Sequence, residues 1–98
     1  MEDNGFFAPP PFKPEEALIQ LKRSLRDLRA FNERGSGFEL KGQAVIELAL
    51  DGAQIHARIA KRPARSPEWE TRALKNSADV RQFIADVKKR LANWSSDE

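Results

Sequence analysis

Three stretches of the chain carry a clear hydrophobic rhythm, and the two outer ones are helical. In the first, Leu18, Leu21, Leu25 and Leu28 recur every three to four residues, which predicts an amphipathic helix with one apolar stripe. Pro14 suits the first helical position, Glu15 and Glu16 complement the positive end of the helix dipole, and Gly35 supplies a stop. The helix is therefore expected over 14–34, with Arg29 and Glu33 spaced for an ion pair. Phe12, just ahead of it, is placed to fold back on the first turn as a hydrophobic staple. In the last stretch Val80, Phe83, Ile84, Val87, Leu91 and Trp94 share an arc of about 100°, which predicts a second helix from a Ser77 cap to Trp94.

Between the helices the period drops to two. Phe38, Leu40, Ala44, Ile46, Leu48 and Leu50 alternate with Glu39, Lys41, Gln43, Val45, Glu47 and Ala49, and Gly42 marks a bend or bulge in the run. Asp51-Gly52 is a strong hairpin signal, because a type I′ turn needs positive φ at both central residues. Such a turn pairs Leu50 with Ala53, Leu48 with Ile55, Ile46 with Ala57 and Ala44 with Ile59, apolar against apolar throughout. On the other face Glu47 lands opposite His56, beside Val45, Ala49, Arg58 and Ala60. Trp69, Thr71 and Ala73 alternate as a third strand over 68–75. Ser66-Pro67-Glu68 would equally start a short helix there, but two strands alone make a thin sheet. The expected architecture is α+β: a two-layer sandwich in the order helix, three-stranded antiparallel sheet, helix (α-β-β-β-α).

Outside this pattern, residues 1–13 read as an N-terminal tail holding Phe6, Phe7 and the run Pro9-Pro10-Pro11, whose prolines favour an extended conformation. Residues 14–94 read as a single α+β domain and 95–98 as a short acidic tail. A chain of 98 residues has room for one core and not two. The absence of cysteine excludes disulfides, thiolate metal sites and cysteine nucleophiles, and suits a reducing compartment. The longest apolar run, Ala44 to Leu50, is interrupted by Glu47 and falls far short of a membrane span. Glu2 and Asp3 are not the basic start of a secretory signal. A cytoplasmic protein without membrane contact is expected.

Chemistry is sparse. His56 is the only histidine, Thr71 the only threonine, and tyrosine is missing. Gly35-Ser36-Gly37 lacks the lysine and spacing of a phosphate loop. Glu47 facing His56 would be the back half of a catalytic triad. No nucleophile stands beside it, however, and a cross-strand charge pair on a solvated face accounts for the same residues. Neither an enzymatic activity, a metal, a cofactor nor a small-molecule ligand is implied.

Charge is the better lead. The net charge is +2, but Glu2, Asp3, Asp97 and Glu98 lie in the tails, leaving 17 basic against 11 acidic residues, a net +6, between them. Lys22, Arg26 and Arg29 border the first helix's stripe, and Lys61, Arg62 and Arg65 fill the loop after the hairpin. On one side of the fold they would form a basic surface for nucleic-acid phosphates. The exposed sheet face, with Val45, Ala49, His56 and Ala60, offers no aromatic platform for single strands. The expected function is a non-catalytic binding module contacting a nucleic-acid backbone. The rival is a protein-interaction or homodimerisation domain that uses Val45, Ala49 and Ala60 together with Phe6 and Phe7 of the tail.

Overall fold

A computed structural model describes residues 12–96, so Phe6 and Phe7 lie outside the described residues. The order is α1 (Pro14–Asp27), β1 (Asn32–Arg34), β2 (Gly37–Leu40), β3 (Gln43–Asp51), β4 (Gln54–Ala60), β5 (Trp69–Leu74) and α2 (Ser77–Ser96). The strands form one antiparallel sheet in sequence order. The architecture is thus α+β, with two helices over a five-stranded sheet rather than a three-stranded one. The segment 68–75, open between strand and helix in the sequence, is the edge strand β5.

The extra strands come from chain that periodicity assigned to the first helix. α1 stops at Asp27 because Arg29 takes a left-handed φ of 60° and its N–H donates to the Arg26 carbonyl at 3.0 Å. The chain then reverses at Gly35-Ser36, and β1 pairs with β2. Hairpin formation brings Phe31 and Phe38 edge to face, with centroids 6.2 Å apart, and both are buried. Glu33 consequently pairs with Arg26 at 3.2 Å rather than with Arg29.

Over Ile46–Ile59 the β3–β4 hairpin keeps its expected faces but not its expected register. Asp51 pairs with Gln54, Leu50 with Ile55, Leu48 with Ala57, Glu47 with Arg58 and Ile46 with Ile59, a slip of two residues. Only Gly52, of the two central residues Gly52-Ala53, has positive φ, at 62°. The turn is therefore the glycine-first II′ kind, in which glycine occupies the first central position instead of the second. A two-residue slip leaves every side chain on its own face.

Gly42 sits in the β2–β3 turn with Lys41, both at positive φ, and not inside a strand. The bulge lies further on, where Phe38 pairs with Ile46 but Glu39 pairs with Ala44, leaving Val45 as the unmatched residue. Val45 and Ile46 are in consequence both fully buried, because a bulge re-aims the extra side chain.

Both helices pack on one face of the sheet, α1 against β3 and β4 and α2 against β5. Leu21 and Leu25 from α1, Ile46, Leu48, Ile55, Ala57 and Ile59 from the sheet, and Val80, Phe83, Val87 and Trp94 from α2 form the core between them. Phe12 packs partly buried against that core. The Asn76 carboxamide, one residue ahead of the expected Ser77, caps α2 by accepting the Asp79 N–H at 2.8 Å. No helix among the described residues is long and apolar enough to cross a membrane.

Candidate nucleic-acid interface

In this sheet the start of β1, the end of β2, the start of β3, the end of β4 and the start of β5 all lie at one end. Three connections close that end: residues 28–31 after α1, the turn 41–42 and the loop 61–68. They contain Arg29, Lys41, Lys61, Arg62 and Arg65 against Glu68 alone, a net +4. At the opposite end residues 35–36 and 52–53 are uncharged, and 75–76 adds only Lys75. The first turn of α1, with Glu15 and Glu16, lies at that end as well.

The six basic residues singled out from the sequence are therefore divided. Arg29, Lys61, Arg62 and Arg65 stand at the same end of the sheet, with Arg26 in the last turn of α1 beside them. Lys22 lies more than a turn further back along α1 and is half-buried. Arg26 is held by Glu33, and Lys61 lies 3.7 Å from Glu68. Arg29, Arg62 and Arg65 are exposed and make no ion pair among the described residues. The 61–68 loop encloses an open recess of about 290 Å³ lined by Lys61, Arg62, Ala64, Ser66, Pro67 and Glu68. Arg90 of α2 donates to the Ala60 carbonyl at 3.2 Å, which brings the exposed Lys88 and Lys89 to this end too, a contribution the sequence order did not suggest.

The sheet face turned away from the helices differs from the expected one. Val45 is drawn into the core by the bulge. Ala60 is also fully buried: its partner in β5 is Trp69, on the same open face, a partly buried residue that packs against the cluster containing Ala60. Of the three apolar residues expected to be exposed there, only Ala49 is. His56 faces Ala49, and Glu47 faces Arg58 and accepts a hydrogen bond from its Nη2. The carboxylate–imidazole pairing therefore does not form across the strands. What the sequence did not place on this face is Trp69, which β5 contributes. The Arg58 guanidinium lies over its ring, 4.7 Å from the centroid, a cation–π contact that fixes both groups.

On the helix side β5 carries charge where a core strand would carry hydrocarbon. Glu70 Oε1 accepts from Arg72 at 2.8 Å and from Arg90 at 2.6 Å. Asp86 Oδ2, buried, lies 3.1 Å from Arg72 Nη2 and 3.4 Å from Arg90 Nε. These four charges clamp α2 to the edge strand beside the basic loop. The bonds from Arg72 and then Arg90 hold the Glu70 carboxyl below its ordinary value of 4.5. Folding thus gains from its ionised form, fully above that value, and the gain is lost as pH falls through the depressed value of the folded state. Glu70→Gln should flatten the acid limb of stability, measured as urea midpoints between about pH 3 and pH 6; an unchanged limb would remove Glu70 from the acid response.

No family model matches the chain, and neither does any curated protein or solved structure.

Proposed function

We propose that this chain is a small, non-catalytic, cytoplasmic module that binds the phosphate backbone of nucleic acid at the basic end of its sheet. The observation that carries the reading is the convergence there of Arg29, Lys41, Lys61, Arg62 and Arg65 from three separate connections. Charges far apart in sequence thus meet at one end, where a phosphate array can displace counterions from several at once. From β1 to β4 the end spans three strand spacings, about 15 Å, and duplex DNA presents a charge about every 1.7 Å along its axis. Arg62 and Arg65 are open to solvent and have no carboxylate partner among the described residues, so a phosphate can meet these two without breaking an ion pair there. A non-catalytic role is supported by the use already made of Glu47 by Arg58 and by the distance in register between Glu47 and His56.

Binding of a fluorescent oligonucleotide should weaken steeply between about 50 and 200 mM salt. Arg62→Glu together with Arg65→Glu should weaken it further and lower the salt slope by about one unit for each lost phosphate contact. Lys22→Glu, away from the end, should change it least. Anisotropy that ignores salt, or that ignores the double reversal, would overturn the proposal.

A further inference from the structure

We infer that the nucleic acid is single-stranded, and that one of its bases stacks on the Arg58 guanidinium where it lies over Trp69 on the open sheet face. The inference rests on the backbone-binding reading above and adds the part of the ligand that the basic end cannot recognise by charge.

Trp69 is the first residue of β5 and follows directly on the 61–68 loop, so the basic loop and the stack are neighbours along the chain and in space. A strand whose phosphates lie against Arg62 and Arg65 can lay its next bases on this face without leaving the protein. Arg58 is held between two partners, the indole beneath it and the Glu47 carboxylate at its Nη2, while over a third of its side chain, 37%, remains exposed. A planar cation fixed in that way is a stacking surface whose ordering entropy is spent before binding, and bases stack on arginine planes as they do on aromatic rings.

The surroundings are low and electrically quiet. Thr71 stands opposite Arg58 in β5, and Ala49 and Ala73 flank His56 in the next row, so nothing bulky rises over either planar group. Arg58 and His56 are two residues apart on β4, about 6.6 Å along the strand, which offers successive bases a second ring. The carboxylates nearby are neutralised: Glu47 by Arg58, and Glu39 by Arg34 at 3.8 Å. A duplex cannot use this surface, because its bases are paired and stacked inside it.

The experiment compares a short oligothymidylate with the duplex it forms with its complement, on the full chain and on Arg58→Lys. Lysine keeps the charge and removes the plane. The expected result is that Arg58→Lys weakens the single strand about tenfold at an unchanged salt slope and leaves the duplex as it was. In a Trp94→Phe background, where Trp69 is the one remaining tryptophan, the single strand should also shift its emission and the duplex should not. Equal, salt-dependent binding of both ligands with no effect of Arg58→Lys and no change in emission overturns the stacking inference and leaves the backbone reading standing. Failure of both ligands to bind at low salt overturns the two together.

Discussion

Phe38→Ala is expected to lower the unfolding free energy by about 3–5 kcal/mol, the cost of emptying a fully buried phenylalanine site. Phe38 is 1% exposed, meets Phe31 edge to face, and pairs with Ile46 beside the bulge that turns Val45 inward. Truncation would therefore leave a void against three large side chains, none of which can relax without moving β1 or β3. Against a typical domain stability of about 5–15 kcal/mol, such a loss brings the protein close to its threshold. Urea unfolding followed by fluorescence should show a lower midpoint with an unchanged slope. Leu50→Ala, at a site 46% exposed, is the control and should cost far less. A loss below about 1 kcal/mol for Phe38→Ala would mean that β1 and β2 are not part of the cooperative unit, and that the basic end lacks the rigid frame assumed for it.

The β1–β2 hairpin matters because it frames the end of the sheet at which binding is proposed, and it is also the part least visible in the sequence. The arc of Val80, Phe83, Val87 and Trp94 and the alternation from Ile46 to Ile59 were legible because each repeats its period several times against one packed face. Asn32–Arg34 is three residues long and exposed throughout, so it has no period to detect. The same letters satisfied a helical pairing of Arg29 with Glu33, which local spacing favours and which the burial of Phe31 against Phe38 outweighs.

Two further differences have equally local causes. Asp51-Gly52-Ala53 is compatible with glycine at either central position, and alternation cannot choose between registers two residues apart, since both preserve the faces. The bulge at Val45 is invisible to a strict period of two, yet it alone removes Val45 from the open face. On β5 the charges of Glu70 and Arg72 concealed the strand's inward side, because residues that satisfy one another resemble solvent-facing ones in sequence. Placing Trp69 beside Arg58 required knowing that 69–74 pairs with β4. With that strand in place, the absence of aromatics on the open face, which had argued against single strands, no longer holds.

Gly37→Ala should cost about 2–3 kcal/mol, more than the same change at Gly52, and for a different reason. Gly37 does not have positive φ, so alanine strains no dihedral there. A methyl group at that position would instead collide with the Ile46 backbone carbonyl oxygen, while Glu47 stands in contact behind it. Backbone cannot swing away as a side-chain tip can, so β2 must separate from β3 at the bulge, an overpacking cost of about 1–3 kcal/mol to which distorted ladder bonds add. Gly52 is the converse: open space surrounds it, but its φ of 62° makes alanine unfavourable by about 1–2 kcal/mol. Chemical denaturation of the two variants should place Gly37→Ala below Gly52→Ala. A second consequence separates packing from mere destabilisation. Displacing β2 moves Glu47, the residue that holds Arg58 over Trp69, so Gly37→Ala should loosen single-strand binding under conditions where it is still folded, whereas Gly52→Ala, at the far end of the sheet, should leave binding intact. The reverse order of stability, or equal binding by both variants, would show that the close approach of β2 to β3 does not govern the open face.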